Sequence, residues 1–592
     1  MTALPEPEAT AAPGARLGRG RAAFWMGVVA LYGAMFLASG YTAYSGNHAH
    51  QLPIVYYLND PSLYAGDPFA ETLERHPSVL WRAVAALDRA LPLGGILFGL
   101  FLLERALQFY AVHRLAAVFF PRSAGAPLAA MAWLALFPQA FFGGGSLVHH
   151  LLEQTALALP CFLLALAAGF RDRPVPAAIW FAVGVDLNSL YGLFALSYGL
   201  ASFLAEGRLY VGRLKAWGVA VGLGTLISLP GLALSARAMK GSSVEPATWL
   251  AVARAIFPYH VFPSAIDPAA WARYGVFLGA GLGLLWARRA EHGRLARHAT
   301  AWGVVSLGWI GVGVAGERLA SMPIAYLQTL RASDIWVFLA SVSLIGLLAQ
   351  GAEQRPGHGP TRFYAVGLLA ALGYGRVEAA SLAVLAALAV AIGLTRLWPG
   401  WLARRHPARL GLVTLAVVIG LDAGRLSRRM EARGSLAYAM YSRPSPPVWE
   451  FVRWAEGATA AESVFLVHPM SEIFRATLRR PVFVLVADAG AMWWWPPMLE
   501  DYLRRLQALG LDLTDPNLAA RDVWRRTSAL FSALEDADVE RLARTYRLDY
   551  WVTSLRQPSG FAEVHRNELF KVLAVPPAET AAPASGPGNQ AP

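Results

Sequence analysis

The chain has 592 residues, 56% of them hydrophobic and 15% charged, with a mean hydropathy of +0.41. Soluble domains carry about 25% charged residues, so intrinsic disorder and a purely cytosolic enzyme are excluded for the bulk of the sequence. The 51 Lys and Arg exceed the 39 Asp and Glu to give +12. These arginines sit mostly between apolar runs, where they set membrane orientation rather than mark a nucleic-acid surface. Cys161, the single cysteine, excludes an intramolecular disulfide and a thiolate metal cluster.

Residues 1–21 are Pro/Ala-rich and then basic (Arg16, Arg19, Arg21), and read as a disordered tail. The charge-free run from Ala22 to Gly40 is long enough for a retained first transmembrane helix rather than a cleaved signal. Tyr41–Pro92 forms a first outer loop with turn-favouring Asp60-Pro61 and Asp67-Pro68 steps. Within it, Val79, Leu80, Ala83, Val84 and Leu87 recur at helical spacing, as in an amphipathic helix along a membrane surface. Further charge-poor runs follow at Leu93–His113, Ala126–Phe142, Leu151–Phe170, Pro176–Leu187, Leu190–Ala205, Ala216–Leu234, Tyr274–Ala287, Thr300–Ala315 and Ile335–Leu348. Three more lie at Phe363–Gly373, Val377–Leu394 and Leu410–Gly424. The expected fold is an α-helical polytopic membrane protein of about 11–13 transmembrane helices, covering residues 22–424. Short runs such as Pro176–Leu187 and Leu190–Ala205 suit broken or re-entrant helices buried in protein.

Counted from an inside N-terminus, the loops Arg114–Arg122, Arg171–Arg173, Arg208–Lys215, Arg288–Arg297, Arg355–Arg362 and Arg396–Arg409 are cytoplasmic, and all are basic. Arg75, Arg82 and Arg89 are outer exceptions. A second outer loop, about Arg237–Arg273, is aromatic and proline-rich. Residues 425–576 have the charge density of a soluble domain. Helices are expected at Pro447–Trp454, Met498–Leu509 and Asp536–Tyr546, and strands at Ser463–Val467, Arg480–Val486, Tyr550–Thr553 and Phe570–Val575. This alternation predicts a small extracytoplasmic α/β domain. Residues 577–592 read as a disordered Pro/Ala-rich tail.

The layout, with the stretches NHAHQLPIVYYLNDPSLYAGDPF (47–69) and SMPIAYLQTLRASDIW (321–336), resembles the GT-C superfamily of polytopic membrane glycosyltransferases. The resemblance implies transfer of a sugar from a polyprenyl-phosphate donor to a lipid, polysaccharide or protein acceptor during cell-envelope assembly. The reaction would occur on the outer side of the cell (inner) membrane. The sequence departs from the family pattern. Asn47-His48 stands where an acidic pair is common, and Trp493-Trp494-Trp495-Pro496 does not replace a WWDYG motif. The competing readings are a transporter or flippase of a lipid-linked substrate, for which broken helices are a pointer, and a non-catalytic envelope scaffold.

Asp67 and Asp60 are the candidate catalytic acids, as general base or ligand to an activating divalent metal. The alternative is that each caps a turn before its proline. Arg331, helped by Arg318, is the candidate for the lipid phosphate, because a guanidinium fork matches phosphate oxygens. The alternative is interfacial snorkelling. Asp186, at a break between short helices, is a candidate for the donor's head group. His48 and His50 would share a face in a strand and could assist, against the blander role of hydrogen bonding. In HHLLE, His149, His150 and Glu153 would lie on one helix face. Gly143-Gly144-Gly145 lacks the Lys-Ser/Thr of a phosphate loop and reads as a hinge. Glu104, Arg105, Arg376, Glu378 and Asp422 are charges inside runs, functional by default or wet at an interface.

Overall fold

The computed structural model describes residues 25–36, 39–67, 69–123, 125–136, 148–207, 212–239, 244–354, 441–442 and 444–577. The expectations for residues 1–21, for the three runs between 363 and 424, for Arg376, Glu378 and Asp422, for the Gly143–Gly145 hinge and for the 578–592 tail lie outside them.

Charge-poor runs become helices. In chain order these are α1 (Trp25–Phe36), α2 (His48–Asn59), α3 (Ala70–Arg75), α4 (Val79–Asp88), α5 (Leu93–Phe119), α6 (Gly125–Leu136), α7 (Gln154–Phe170), α8 (Pro174–Leu187) and α9 (Ser189–Ala205). They continue as α10 (Leu214–Met239), α11 (Pro246–Ile256), α12 (Pro258–Val261), α13 (Pro268–Ala287), α14 (Arg289–Arg318), α15 (Met322–Tyr326) and α16 (Ala332–Gln354). Among the described residues, four stretches are long and apolar enough to cross a membrane: Leu93–Phe119, Leu214–Ala238, Arg289–Arg318 and the composite run Met322–Leu347. α16 is the central post, with Ile335, Trp336, Phe338 and Leu339 fully buried in one core with α5, α6, α7, α9 and α14.

The α8–α9 break is made by Asn188. Its side chain accepts from the Tyr191 N–H at 3.2 Å and donates to Thr155 Oγ1 at 2.9 Å, an N-cap fixed to a neighbouring helix. α10 carries Pro230 in its interior. The Gly231 N–H donates to Asp186 Oδ1 at 2.8 Å, so a neighbouring carboxylate serves the backbone next to the proline. A Cβ on Gly231 would come within 2.7 Å of the Asp186 Cα, which explains the glycine.

The first loop is more helical than its sequence suggests. The segment expected as loop or strand at His48–Asn59 is α2, and α4 turns Leu80, Trp81, Val84 and Ala85 into a core with α2 and α5 and leaves Leu87 exposed. After α1, strand β1 (Tyr41–Thr42) pairs in parallel with β2 (Tyr441–Ser442).

The C-terminal domain continues with α17 (Pro446–Ala458), β3 (Phe465–Leu466), α18 (Glu472–Thr477), α19 (Leu499–Ala508), α20 (Ala520–Ser532), α21 (Asp536–Thr545), β4 (Tyr550–Ser554), β5 (Glu563–Arg566) and β6 (Phe570–Ala574). The sheet order is β3-β4-β6-β5, with β3 parallel to β4 and the other pairs antiparallel. One face (Phe465, Val552, Val572) packs on Phe451 of α17. The other (Leu466, Trp551, Leu573) packs on Leu506 of α19 and Leu542 of α21, in a core that includes Trp249, Val252 and Phe262 of the second outer loop. The expected strand Arg480–Val486 is reduced to a single bridge, Phe465 to Val482, before a 3-10 turn at Val486–Trp493. α18, α20 and β5 have no counterpart among the expected elements.

Among the described residues, parts of the basic loops Arg114–Arg122, Arg171–Arg173, Arg208–Lys215 and Arg288–Arg297 meet at one end, while residues 208–211 and the loops 355–362 and 396–409 lie outside them. Asp172 pairs with Arg213 at 2.8 Å, Arg294 donates to the Phe170 carbonyl at 3.0 Å, and the Phe120 and His292 rings lie 5.5 Å apart. The first loop packs at the Leu93 end of α5, while Phe119 at its other end meets Phe170 and Trp302. The three arginines that depart from the basic-loop pattern are all engaged. Arg75 lies 3.5 Å over the Trp495 ring, Arg82 donates to the Glu74 carbonyl at 2.8 Å, and Arg89 donates to Asn59 Oδ1 at 3.0 Å.

Candidate functional site

The first-loop aspartates occupy different environments and do not meet. Asp60 is exposed and caps its own turn, accepting from the Ser62 N–H at 3.0 Å and the Ser62 hydroxyl at 2.6 Å. Asp67 is 5% exposed. Its Oδ1 accepts from the Phe69 N–H at 2.7 Å, and its Oδ2 accepts from Arg475 Nη1 and from the Val482 N–H at 3.3 Å. Arg475 also donates to Asp488 Oδ2 at 2.8 Å and stacks 4.7 Å over the Phe69 ring. Both oxygens of Asp67 are therefore committed to an ion-paired joint between the first loop and the C-terminal domain.

The histidines are neutral struts. On helix α2, a spacing of two places His48 and His50 on different faces, contrary to the strand expectation. His48 Nδ1 accepts from the Tyr44 N–H at 3.0 Å, which makes Nε2–H the donor to the Leu152 carbonyl at 3.2 Å. His50 packs between Phe69 and Trp494, against Gly490, where any Cβ would approach its Nε2 to 2.8 Å. Burial pulls both imidazoles down to about 4. The tryptophan triplet is likewise a joint. Trp493 meets Trp249 edge-on at 5.0 Å, Trp494 donates to the Thr72 carbonyl at 2.9 Å, and Trp495 underlies Arg75.

A second set of polar groups lies near the start of α7, on the second loop, on the α15–α16 link and on the C-terminal domain. Gln328 adopts a left-handed conformation (φ 48°, ψ 48°) and turns the chain into the 3-10 segment Thr329–Arg331. Arg331 is half-buried and sends Nε and Nη2 to the ring of His260, at 3.1–3.3 Å. A turn later, Asp334 accepts from the Tyr191 hydroxyl at 2.9 Å. Arg318 ends α14, is exposed, and forms no ion pair or hydrogen bond with Arg331. Asp186 spends Oδ1 on Gly231.

Two half-buried carboxylates flank the Gly46-Asn47 turn. Glu153 accepts from Asn47 Nδ2 at 2.9 Å and lies 3.5 Å from His149 Nε2. This contact arises in irregular chain, since residues 148–153 are not helical. The Glu153 N–H is itself held by Glu104 Oε2 at 3.3 Å, in a buried cluster where Glu104 pairs with Arg105 at 3.1 Å. On the other side Glu472, at the start of α18, accepts from the Gly46 N–H. Burial raises the Glu472 carboxyl above its ordinary value, Gly46 opposes this, and Asp488 raises it further. Among the described residues Glu472 pairs with no cation. Burial raises the Tyr259 phenol, the Arg331 cation lowers it, and the Glu472 carboxylate raises it, while its ring packs on His260 at 4.4 Å.

The region thus combines an arginine held by the His260 ring with a carboxyl of raised proton affinity, groups suited to holding an anion and to accepting a proton. Sequence reading singled out Arg331 and Glu153 but missed Glu472, His260 and Tyr259. The IFPYHVFP stretch was visible only as aromatic loop, and nothing in SEIFR marks its glutamate. Among the described residues no group of three or more His, Cys, Asp or Glu side chains is placed to hold a metal ion. No family model and no curated protein matches the chain.

Proposed function

We propose that the chain is a polytopic membrane glycosyltransferase of the GT-C type, which moves a sugar from a polyprenyl-phosphate donor to an extracytoplasmic acceptor. The observations that support this reading are the half-buried Arg331 held by the His260 ring and the half-buried Glu472, which among the described residues pairs with no cation. The membrane assignment is supported by apolar residues left exposed along neighbouring helices, among them Leu196, Leu200 and Leu204 of α9 and Val219 and Leu226 of α10. Soluble monomers rarely expose such a continuous surface. The basic end would then be cytoplasmic and the C-terminal domain outside.

In this mechanism Arg331 binds the donor phosphate with the guanidinium edge that His260 leaves open. An acceptor hydroxyl attacks the anomeric carbon and a C–O bond forms. The bond from that carbon to the phosphate oxygen breaks, and polyprenyl phosphate departs with the electron pair. The hydroxyl proton passes to the Glu472 carboxylate. A carboxyl of raised proton affinity is a better base than an ordinary one once ionised. Positive charge at Arg331 stabilises the phosphate as it leaves.

The test follows loss of labelled sugar from polyprenyl-phosphate carriers by purified protein in nanodiscs that also hold an extract of envelope acceptors. Glu472→Gln is expected to lower turnover by at least about 100-fold, the scale of a lost general base, with its thermal midpoint kept. The wild-type rate should fall with acidity as Glu472 protonates, above the ordinary glutamate value, and the variant should lack that limb. Arg331→Ala should weaken carrier binding, and Asp60→Asn should leave both unchanged. Turnover insensitive to Glu472→Gln would remove the base. Saturable carrier binding without turnover would favour a carrier-moving protein.

A further inference from the structure

The basic end holds a groove of about 640 Å³, lined among others by Pro121, Phe170, Arg171, Asp172, Arg173 and Arg294. Its charges are unbalanced in a specific way. Asp172 is matched by Arg213 at 2.8 Å, and Glu206 by Arg294 at 2.6 Å. The side chains of Arg171 and Arg173 are left exposed with no ion pair or hydrogen bond among the described residues, although they stand in the same turn. Burial lowers the proton affinity of Arg171, and the cations Arg114 and Arg173 lower it further against an opposing effect of Tyr110, so Arg114 is a third cation beside the turn. Like charges gathered without a counter-ion are destabilising unless something anionic joins them.

The surroundings indicate what the anion is attached to. α8 begins directly after Arg173, and its Val175 and Ile179 are 41% and 39% exposed. On the other flank Tyr110 of α5 is 49% exposed, with Arg114 lying 5.9 Å over its ring. A headgroup in the groove would leave its acyl chains along these apolar surfaces, whereas a free phosphate would gain nothing from them.

We infer that this groove binds the phosphate of an anionic phospholipid of the inner leaflet, with Arg171 and Arg173 as its two cationic contacts. The inference rests on the membrane reading above but not on glycosyl transfer. The lipid phosphate supplies the missing counter-charge to the α7–α8 turn, and so fastens the cytoplasmic ends of α5, α7, α8 and α14 together.

Detergent-purified, delipidated full-length protein is titrated with phosphatidylglycerol, phosphatidylcholine or inorganic phosphate, and its thermal midpoint is followed. Bound lipid is counted by native mass spectrometry. Phosphatidylglycerol should raise the midpoint by several degrees and stay bound, while the other two should not. The double variant Arg171→Gln/Arg173→Gln should lose most of the rise at an unchanged lipid-free midpoint. Arg171→Lys/Arg173→Lys, which keeps the charge, should retain part of it. Equal stabilisation of wild type and the glutamine variant overturns the site, and an equal effect of inorganic phosphate overturns the lipid assignment. The membrane reading is judged separately, by whether wild type enters nanodiscs; failure there overturns both readings.

Discussion

Arg475 is 1% exposed and lies between Asp67 and Asp488. A guanidinium stays charged at any accessible pH, so the joint survives only while both carboxylates remain beside it. Removing one partner of a buried ion pair strands the other charge and costs about 3–5 kcal/mol. Arg475→Ala is therefore expected to destabilise the protein by about that amount, read as a lowered midpoint in denaturant. Arg475→Met combined with Asp67→Asn and Asp488→Asn, which removes the charges together, should recover much of the loss. If Asp67→Asn instead abolished turnover while leaving stability intact, the structural assignment of Asp67 would fail. The Asp-Pro steps did signal turn chemistry, and Asp60 behaves accordingly. What they did not reveal is that one aspartate reaches a partner far along the chain, because long-range pairing leaves no local pattern.

At the scale of elements, runs without charge read well because burial in either protein or lipid imposes the same requirement. Leu190–Ala205 was read almost to the residue against the observed Ser189–Ala205, and Pro176–Leu187 against Pro174–Leu187. α2 escaped because Pro53 and the β-branched pair Ile54-Val55 argue locally against a helix, a preference overridden by packing on Leu73, Trp81 and Ala476. The strand expected at Arg480–Val486 failed for a converse reason. The Leu485 N–H is taken by Asp488 at 2.8 Å, and the chain coils away from the sheet. The candidate site was legible only in part, since Arg331, Glu153 and Glu472 lie on segments remote in sequence. The α8–α10 contact offers a test at this scale. Gly231→Ala would push a methyl to 2.7 Å from the Asp186 backbone. Forcing apart a packed contact of this kind costs about 1–3 kcal/mol, so the variant should unfold earlier in detergent, and Gly222→Ala, where a Cβ meets open space, should not.

Across the whole molecule, the C-terminal domain is held against the first loop by a seam of buried neutral imidazoles and indoles. His76 stacks edge-on to Trp494 at 4.7 Å, beside His50, and His48 pins the adjacent α2 to Leu152. Burial pulls His48 and His50 down to about 4 and His76 to about 3. The charged or titratable neighbours that shift them are cationic when protonated: His150 for His48, Arg475 for His50, and His50 with Arg82 for His76. Between the ordinary histidine value near 6.5 and these depressed values, the unfolded chain binds more protons than the folded one, so stability rises with pH in that window. The contribution of the seam is complete above about pH 6.5 and is lost as the pH falls toward 4. Glu472, whose proton affinity is raised, works in the opposite sense and is the reason to compare variants rather than read one curve. Thermal midpoints measured in detergent from pH 8 to pH 4 should hold steady and then decline below about 6.5. Replacing His50 and His76 by Gln should flatten the decline while lowering the neutral-pH plateau. An identical slope in the variant would show that acid opens the molecule elsewhere, and that the imidazole seam does not control docking of the C-terminal domain.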